Sequence, residues 1–327
     1  MEKKIERIGV FTSGGDAPGM NAAIRAVVRT ASYHNIEVYG IRRGYQGMIE
    51  NDFIELSSRS VANIIQTGGT MLKTARCADF RTVEGRSLAA KNLRHRHVDA
   101  LVCIGGNGSY TGAMELYEEH QIPTIGVPGT IDNDLFGTDF TIGYDTAINT
   151  AVDAIDKIRD TAGSHNRVFL VEVMGRDAGF IALAVGISGG AEAIFIPEEN
   201  GEMDKLIGHF KNSSRRTKSF SIIVVAEGDR QGGAIAIQSR LEQEFSDIDV
   251  RTTILGHIQR GGSPSARDRV LASQLGYEAV RALIAGENSK AVGIVGGNLV
   301  FTDLSIAVGK TKKVNPDLIQ MAKILSN

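Results

Sequence analysis

Short apolar segments alternate with amphipathic segments along almost the whole chain of 327 residues. Largely apolar runs, such as those at residues 99–104 and 167–174, predict strands that are buried on both faces. Between such runs, apolar side chains recur at helical spacing, and residues 144–160 give the clearest helix. Strands and helices in alternation are typical of α/β domains with mainly parallel sheets. We therefore predict that fold class.

The same patterns set approximate bounds for the other elements. Further strands are predicted at residues 6–12, 37–41, 122–127, 192–196, 220–226 and 250–255. Further helices are predicted at residues 20–31, 61–66, 86–97, 110–120, 203–213, 235–245 and 266–285, with another directly after Gly179. The remaining predictions are a loop at residues 42–47, a hairpin at Gly296-Gly297-Asn298 and a short tail.

Length and composition narrow the class of protein. A chain of 327 residues exceeds the usual size of one domain, so we expect two. The formal net charge of -2 provides no attractive field for nucleic acid. No apolar run approaches the roughly 20 residues that span a bilayer, and the polar start does not resemble a signal peptide. We expect a cytoplasmic protein with neither a membrane nor a nucleic-acid partner.

The two cysteines, Cys77 and Cys103, are too few for a disulfide framework and lack metal-type spacing. Cys103 lies inside a predicted buried strand, so we interpret it as a small core residue.

Glycine pairs stand where predicted strands end. Gly14-Gly15 follows the strand at residues 6–12, and Gly105-Gly106 follows the strand at residues 99–104. Backbone amides in such turns can bind phosphate at the N-terminus of the next helix. An ordinary strand-to-helix turn shows the same residues, so a glycine pair alone is a weak signal. Neither a Walker lysine motif nor the dinucleotide fingerprint is present, which disfavours hydride transfer.

Two carboxylates, Asp132 and Asp134, follow the strand at residues 122–127. Two cations, Lys73 and Arg76, follow another glycine pair, Gly68-Gly69. Phosphoryl transfer needs amides and cations around the donor phosphates, a metal, and a carboxylate that orients or deprotonates the hydroxyl. The chain supplies each class of part.

A second set of cations is predicted to end strands: Arg167, Arg176, Arg251, His257 and Arg260. We expect them at the carboxyl ends of strands, where open α/β sheets bind ligands. Guanidinium groups bind phosphate monoesters bidentately, so the set suits a phosphorylated small substrate. Each member alone also fits a surface charge or a structural ion pair.

Four longer motifs identify a family. They are Ser13-Gly-Gly-Asp-Ala-Pro-Gly-Met-Asn-Ala-Ala, Pro128-Gly-Thr-Ile-Asp-Asn-Asp134, Glu172-Val-Met-Gly-Arg176 and Leu255-Gly-His-Ile-Gln-Arg-Gly-Gly-Ser-Pro264. Together they resemble bacterial ATP-dependent 6-phosphofructokinases, and the resemblance covers nearly the whole chain. It implies two Rossmann-like three-layer α/β/α domains with the active site in the cleft between them. The larger, ATP-binding domain would comprise residues 1–142 and 256–303, and the smaller, fructose 6-phosphate-binding domain residues 143–255 and 304–327.

The resemblance also implies a reaction, the transfer of the γ-phosphoryl group of ATP to the 1-hydroxyl of fructose 6-phosphate with Mg²⁺, the committed step of glycolysis. Asp132 matches the catalytic base, and the accompanying catalytic positions are Thr130, Asp134, Arg76 and Arg176. The positions that match nucleotide-binding residues are Gly15, Arg76, Cys77, Gly106, Asn107, Gly108 and Ser109. The positions that match substrate-binding residues are Thr130, Ile131, Asp132, Arg167, Met174, Gly175, Arg176, Glu227, Arg251, His257, Ile258, Gln259 and Arg260.

Assembly and regulation follow from the same resemblance. Arg167 and Arg251 match arginines that members of the family lend to a neighbouring subunit, which implies a homotetramer with shared active sites. Effector positions, where ADP activates and phosphoenolpyruvate inhibits, are matched by Arg25, Arg29, Arg159, Glu192 and Lys218. Arg25 and Arg29 lie four residues apart on one helix face, a spacing that repels unless an anion or acidic partner is present. A solvated helix face is the alternative interpretation.

Two glycines bear on the phosphate donor. Gly108 and Gly129 stand where pyrophosphate-dependent relatives usually carry Asp and Lys, so both favour ATP. A pyrophosphate-dependent phosphofructokinase is the nearest alternative function.

Two other positions depart from the family pattern. Asn107 stands where the family usually has an Asp that serves magnesium, and an amide contributes no charge. We expect the metal to be held mainly by ATP phosphates and by Asp132 or Asp134, with weaker affinity. Ser58 takes the place of an effector-binding arginine, so an altered effector response is expected. A weakly active regulatory subunit is the second alternative function.

Overall fold

The structure of the protein is a computed structural model that describes residues 5–162, 167–212, 220–246 and 248–326. The chain divides into two compact units. Unit 1 comprises Met1–Ile131, Leu135–Thr146 and Arg260–Lys312, and unit 2 comprises Asp132–Asp134, Ala147–Gln259 and Lys313–Asn327. Residues 304–312, which the sequence-based division assigned to the smaller domain, lie in unit 1 because Leu304 and Ala307 pack into its core.

The described strands are β1 (Arg7–Thr12), β2 (Glu37–Ile41), β3 (Phe53–Leu56), β4 (Ala100–Gly105), β5 (Thr124–Pro128), β6 (Arg167–Val173), β7 (Ala193–Phe195), β8 (Phe220–Ala226), β9 (Asp249–Ile254), β10 (Lys290–Val295) and β11 (Asn298–Asp303). The described helices are α1 (Met20–Tyr33), α2 (Tyr45–Ile49), α3 (Val83–His95), α4 (Asn107–His120), α5 (Tyr144–Ala162), α6 (Phe180–Ser188), α7 (Glu202–Asn212), α8 (Gly233–Glu244), α9 (Ala266–Ile284), α10 (Leu304–Gly309) and α11 (Pro316–Leu325). Short 3₁₀ helices span Asp79–Arg81 and Gly256–Arg260.

Unit 1 contains a sheet with the strand order β11-β10-β5-β4-β1-β2-β3. Its strands pair in parallel except that β3 is antiparallel to β2 and β11 is antiparallel to β10. Side chains of the sheet, such as Phe11 and Leu101, share a buried cluster with Leu93 of α3, Leu116 of α4 and Leu304 of α10. Helices α1 and α9 pack so closely that a Cβ at Gly276 would lie 2.7 Å from the Ala23 carbonyl oxygen.

Unit 2 contains a sheet with the strand order β7-β8-β6-β9, all parallel. Leu170 and Val225 from this sheet pack against Leu206 of α7 and Leu241 of α8. A separate cluster joins Leu183 and Ile187 of α6 with Ile319 and Ala322 of α11. Parallel strands with helices after almost every strand confirm the predicted α/β class.

The loop predicted at residues 42–47 is wrong, because α2 begins at Tyr45. Tyr45 is buried and stacks on Phe80 with 3.9 Å between ring centroids, and its hydroxyl donates to the Ser109 carbonyl. Gly47 permits the turn, since a Cβ there would lie 1.7 Å from the Arg42 carbonyl oxygen. Tertiary packing therefore overrides the local loop signal.

The helix predicted at residues 61–66 is also wrong, and turns replace it. Asn63 has φ 56, which lies in the left-handed region and interrupts a right-handed helix. The predicted short tail is wrong as well, because α10 and α11 follow β11. Strand β3 had no predicted counterpart.

Candidate functional site

The first two glycine loops of unit 1 lie against each other. A Cβ at Gly105 would lie 2.4 Å from the Ser109 hydroxyl and 2.7 Å from the Ser13 carbonyl oxygen, so only glycine fits there. The Ser13 N–H donates to the Ile104 carbonyl, which ties the loop after β1 to the end of β4. Gly106 is the N-cap of α4 and Gly108 in the first turn is exposed. The Ser109 N–H donates to the Gly106 carbonyl at 3.0 Å. The N-terminus of α4, whose dipole favours an anion, begins at these loops.

Gly15 lies beside the guanidinium group of Arg260. A Cβ at position 15 would lie 2.7 Å from Arg260 Nη1, and that nitrogen also donates to the Asp16 carbonyl at 3.2 Å. The structure thus brings together, within unit 1, a predicted nucleotide-binding glycine and a predicted sugar-phosphate cation. His257 and Ile258 are exposed on the 3₁₀ helix that ends at Arg260.

The buried side chain of Asn21 holds the third glycine loop. Its amide donates to the carbonyls of Thr67 and Gly68, and its carbonyl accepts from the Met71 N–H at 2.7 Å. The segment continues to Arg76, which is exposed, and to Cys77, which is half-buried. Burial raises the pKa of the Cys77 thiol.

Cys103 lies in the interior of β4 and is fully buried, as predicted for a core residue. Burial raises the pKa of its thiol to about 12. It is therefore an inert member of the core.

The loop that carries the two aspartates starts from a tightly packed strand end. A Cβ at Gly129 would lie 2.9 Å from Ile104 Cγ2 and 3.2 Å from Met20 Cε. The next residue, Thr130, is buried, and its carbonyl accepts from the Thr141 hydroxyl at 2.6 Å. Ile131 is fully buried. These contacts fix the strand end from which the carboxylates project.

Asp132 and Arg176 form an ion pair within unit 2. Arg176 Nε lies 3.4 Å from Asp132 Oδ2, with side chains that are 64% and 3% exposed, respectively. A buried carboxylate therefore faces a cation whose charge reaches solvent. Asp134 is half-buried in the same loop.

The turn after β6 aims Arg176. Glu227 Oε1 accepts hydrogen bonds from the N–H groups of Gly175 at 3.2 Å and Arg176 at 2.8 Å. Gly175 has φ 145 and Arg176 φ 51, so this carboxylate stabilises an unusual backbone path. Met174, the residue before, donates its N–H to Oε1 of the fully buried Gln259 at 2.8 Å.

Arg167 and Arg251 lie at the other end of this sheet, so the prediction that they end strands is wrong. Arg167 is the first residue of β6, and Arg251 is the third residue of β9. Asp249 bridges them, accepting from Arg167 Nε at 2.6 Å and lying 2.9 Å from Arg251 Nε. The hydrogen bond from Arg167 lowers the pKa of the Asp249 carboxyl.

The predicted effector residues fall in both units. Arg25 is half-buried in α1, and burial, followed by repulsion from Arg29, lowers its pKa. Arg159 of α5 donates to the carbonyls of Gly189 and Gly190. Glu192 accepts from the Ile222 N–H at 2.7 Å. Ser58, the position that departs from the family pattern, is exposed. Lys218 lies outside the described residues.

Sequence reasoning missed three polar residues that hold separate segments of the chain together: Asn21, Asp249 and Asp268. Asp268 is buried and accepts hydrogen bonds from the Gly143 N–H at 2.9 Å and the Thr146 N–H at 2.8 Å, and burial raises its pKa. Asp249 was detectable, because residues two apart in a strand share a face and Arg251 follows at that spacing. Asn21 stands out as a polar residue among apolar neighbours of α1.

In the described ranges, no group of three or more His, Cys, Asp or Glu side chains could hold a metal ion. The same part of the chain contains no helix that is both long and apolar enough to cross a membrane.

Comparisons with known proteins bear on the whole chain. The pattern of the family named Phosphofructokinase matches residues 7–283. ATP-dependent 6-phosphofructokinase 1 of Thermus thermophilus is 55% identical over 322 residues, covering 98% of this chain and 100% of that protein. ATP-dependent 6-phosphofructokinase 2 of Bacteroides thetaiotaomicron is 54% identical over 322 residues, covering 98% and 99%, respectively.

A solved structure shares the fold. Pichia pastoris phosphofructokinase in the T-state matches with a TM-score of 0.85 and 38% identity. The match covers 94% of this chain and 36% of the yeast chain, so this chain spans about a third of that larger protein.

Proposed function

The chain belongs to the phosphofructokinase family, and we propose that it transfers the γ-phosphoryl group of ATP to the 1-hydroxyl of fructose 6-phosphate. The products would be ADP and fructose 1,6-bisphosphate, in the committed step of glycolysis. The substrates are those that the names of its relatives imply. The cytoplasm is the proposed compartment.

The buried Asp132 carboxylate beside the Arg176 guanidinium is the observation that carries this proposal. In the proposed step, an Asp132 oxygen accepts the proton of the 1-hydroxyl while the hydroxyl oxygen attacks the γ-phosphorus. The bond from that phosphorus to the bridging oxygen breaks, and ADP leaves with its electron pair. A positioned base of this kind typically contributes about 10²- to 10⁴-fold to the rate. Arg176 and Arg76 are proposed to neutralise charge on the transferring group, with Thr130 and Asp134 as further catalytic residues.

The glycine loops of unit 1 are proposed to bind the nucleotide. The proposed nucleotide-binding residues are Gly15, Arg76, Cys77 and the stretch from Gly106 to Ser109. The first turn of α4 supports the assignment, since this helix begins just after the buried strand β4 and helix N-termini favour anions. Unit 1 thus corresponds to the proposed ATP-binding domain, and unit 2 to the proposed sugar-phosphate domain.

Magnesium is the proposed cofactor. It usually keeps several waters and takes one or two carboxylates together with substrate phosphates, so the oxygen donors present fit it without a protein-only cage. When bound, it would neutralise phosphate charge. Asp134 would supply a carboxylate oxygen, and Asn107 an amide oxygen. We expect that Asn107→Asp lowers the Mg²⁺ concentration for half-maximal rate, and an unchanged Mg²⁺ requirement and turnover would refute this role.

The sugar phosphate is proposed to bind through residues of several segments: the chain after β5, the strands of unit 2 and the turns after them, and the segment that follows β9. The set comprises Thr130, Ile131, Asp132, Arg167, Met174, Gly175, Arg176, Glu227, Arg251, His257, Ile258, Gln259 and Arg260. The backbone turn held by Glu227 and the exposed guanidinium of Arg176 support this assignment.

A homotetramer with shared active sites is proposed from the resemblance to the family, and the location of two arginines supports the sharing. Arg167 and Arg176 flank β6, whose seven residues separate its ends by about 20 Å. One sugar phosphate bound at Arg176 cannot also contact Arg167 of the same unit. Arg167 and Arg251 are therefore proposed to serve a neighbouring subunit.

Regulation by ADP and phosphoenolpyruvate is proposed through the effector residues Arg25, Arg29, Arg159, Glu192 and Lys218. Burial and then repulsion from Arg29 lower the pKa of Arg25. The spacing of the two arginines supports an anion site, because a bound phosphate would relieve the repulsion. Because Ser58 takes the place of an effector-binding arginine, we expect the response to ADP and phosphoenolpyruvate to differ from that of relatives.

A coupled assay with fructose 6-phosphate tests the main proposal. We expect ATP to support turnover and pyrophosphate not to do so, since Gly108 has open space beside it and leaves room for a nucleotide. Gly108→Asp should weaken ATP use without unfolding the protein, because no atom lies within 4 Å of a Cβ there. Turnover with pyrophosphate alone would favour the pyrophosphate-dependent alternative. No turnover with either donor at saturating Mg²⁺ would favour a regulatory subunit.

A further inference from the structure

A cavity of about 320 Å³ lies in unit 2 beside β7, which is an edge strand of its sheet. Its walls come from α6, α7, α11 and the chain around β7. Of its lining residues, Glu192 alone belongs to the proposed kinase or effector sets. The cavity is at the lower end of the volumes that are usual for small-molecule sites.

The inner wall of this cavity is apolar. The buried side chains of this wall are Leu183, Ile196, Leu206 and Ala322, and the half-buried ones are Ala193, Ile194 and Ile319. Water gains few hydrogen bonds against such a wall, so an apolar ligand group would displace it favourably.

The rim carries both signs of charge. Lys205 pairs with Glu202 at 2.6 Å, and Lys323 pairs with Glu199. The carboxylate side chains are the less exposed partners, at 16% for Glu202 and 26% for Glu199. A third carboxylate, Glu192, also lines the cavity.

We propose that this cavity binds a free amino acid with an apolar side chain. The side chain would lie on the apolar wall, the ammonium group among the rim carboxylates and the carboxylate group against Lys205 and Lys323. A simple anion would meet three glutamates, and a simple cation would meet two lysines. An uncharged apolar molecule would cover the rim ion pairs without forming hydrogen bonds with them. The volume, about that of ten waters, suits an amino acid better than a nucleotide.

Titration of the full-length protein with L-leucine, followed by broadening of the leucine methyl resonances, tests the proposal. We expect a Kd of about 0.1–1 mM for so small a ligand. Glycine lacks the apolar group, 4-methylpentanoate lacks the ammonium group and 3-methylbutylamine lacks the carboxylate. Each should bind about tenfold more weakly or worse.

Two variants on the cavity have a matched control. Lys205→Met removes a rim cation whose side chain is 60% exposed, and Ala322→Leu fills the cavity from its wall. Both should weaken leucine binding about tenfold or more. Lys211→Met is the control, because Lys211 lies on the same helix, is 59% exposed and does not line the cavity. Its ammonium group lies 3.4 Å from the Glu244 carboxylate. Thermal denaturation establishes that each variant is folded.

The proposal would be overturned if the unmodified protein bound no leucine at a concentration about 10-fold above the expected Kd. Equal binding of glycine, or equal loss of binding in Lys211→Met, would overturn it as well. Retained binding in a folded Ala322→Leu would place leucine elsewhere and would also overturn it.

One consequence rests on the proposed function. Because Glu192 is shared between the cavity and the proposed effector set, leucine should change the ADP concentration that gives half-maximal activation. The change should be absent in Ala322→Leu. If the protein shows no kinase activity, the proposed function fails while the binding measurements still test the cavity.

Discussion

Carboxylate–guanidinium pairs occur at both ends of the four-stranded sheet in unit 2, but the carboxylates differ in how far they are buried. At the carboxyl end, the carboxylate of Asp132 is almost fully buried and faces Arg176. At the amino end, Asp249, Arg167 and Arg251 are all partly open to solvent, with side chains 39%, 31% and 58% exposed. An exposed ion pair contributes little to stability and is easily rearranged by a ligand. The comparison teaches that burial, rather than residue type, separates a candidate base from a candidate anion-binding cluster.

Replacing the buried carboxylate should have the largest effect. Asp132→Asn removes the proposed proton acceptor, and we expect kcat to fall by about 10²- to 10⁴-fold with a smaller change in the KM for fructose 6-phosphate. A coupled assay of ADP formation measures both constants. Asp204→Asn serves as the control for loss of one carboxylate in the same unit, because Asp204 is 80% exposed and belongs to none of the proposed sets. A kcat within tenfold of the unmodified value would end the assignment of Asp132 as base.

Removing one arginine at the amino end should have the next largest effect. A charged hydrogen bond is worth about 1.5–3 kcal/mol, so Arg167→Ala should raise the KM for fructose 6-phosphate about 10- to 100-fold if the arginine contacts the phosphate of a neighbouring subunit's substrate. Co-assembly of Arg167→Ala with Asp132→Asn should then restore activity, because some sites receive a native residue from each variant. Activity no greater than the average of the parents would argue that the two ends of the sheet never share a site.

The turn that aims Arg176 should give a moderate effect. Glu227→Ala removes the acceptor of two backbone N–H groups and should raise the KM for fructose 6-phosphate about tenfold. Glu227→Gln keeps an oxygen acceptor and should lie close to the unmodified protein. If the glutamine variant behaves like the alanine variant, the negative charge matters more than the turn.

The pH dependence of stability should give the smallest effect. The pKa of Asp249 is lowered from 3.8 in the folded state, chiefly by its hydrogen bond from Arg167. Its stabilising contribution is therefore present above pH 3.8 and is lost as the pH falls through the folded-state pKa. We expect the difference in free energy of unfolding between the unmodified protein and Asp249→Asn to shrink between pH 7 and pH 3. Urea denaturation at both pH values measures it, and a difference that grows on acidification would contradict the assigned ion pair.

Elements with a strong apolar period were predictable from the sequence. Helix α5 begins at Tyr144 as predicted, and the order of parallel strands and helices follows the apolar pattern. Elements held by distant contacts were not predictable. Helix α2 depends on the packing of Tyr45 against Phe80. The helix predicted at residues 61–66 does not form, because Asn63 has a left-handed backbone conformation.

The candidate site shows the same division. Motif residues identified Asp132 and Arg176, but their 3.4 Å approach depends on a turn held by Glu227 from another strand end. The amino-end location of Arg167 was mispredicted because a charge beside an apolar run does not indicate which end of the strand it occupies. Hydrogen bonds that the Asn21 and Asp268 side chains accept join segments far apart in sequence, and no local pattern encodes them.

The order in which the chain builds its two units limits how the protein can be divided. Each unit is assembled from three separate stretches, and α5 begins in unit 1 and continues into unit 2 from Ala147. A single cut therefore releases neither unit intact, and no single continuous segment can be exchanged to replace one. Recombination between relatives would keep a unit intact only if all of its separate segments were exchanged together.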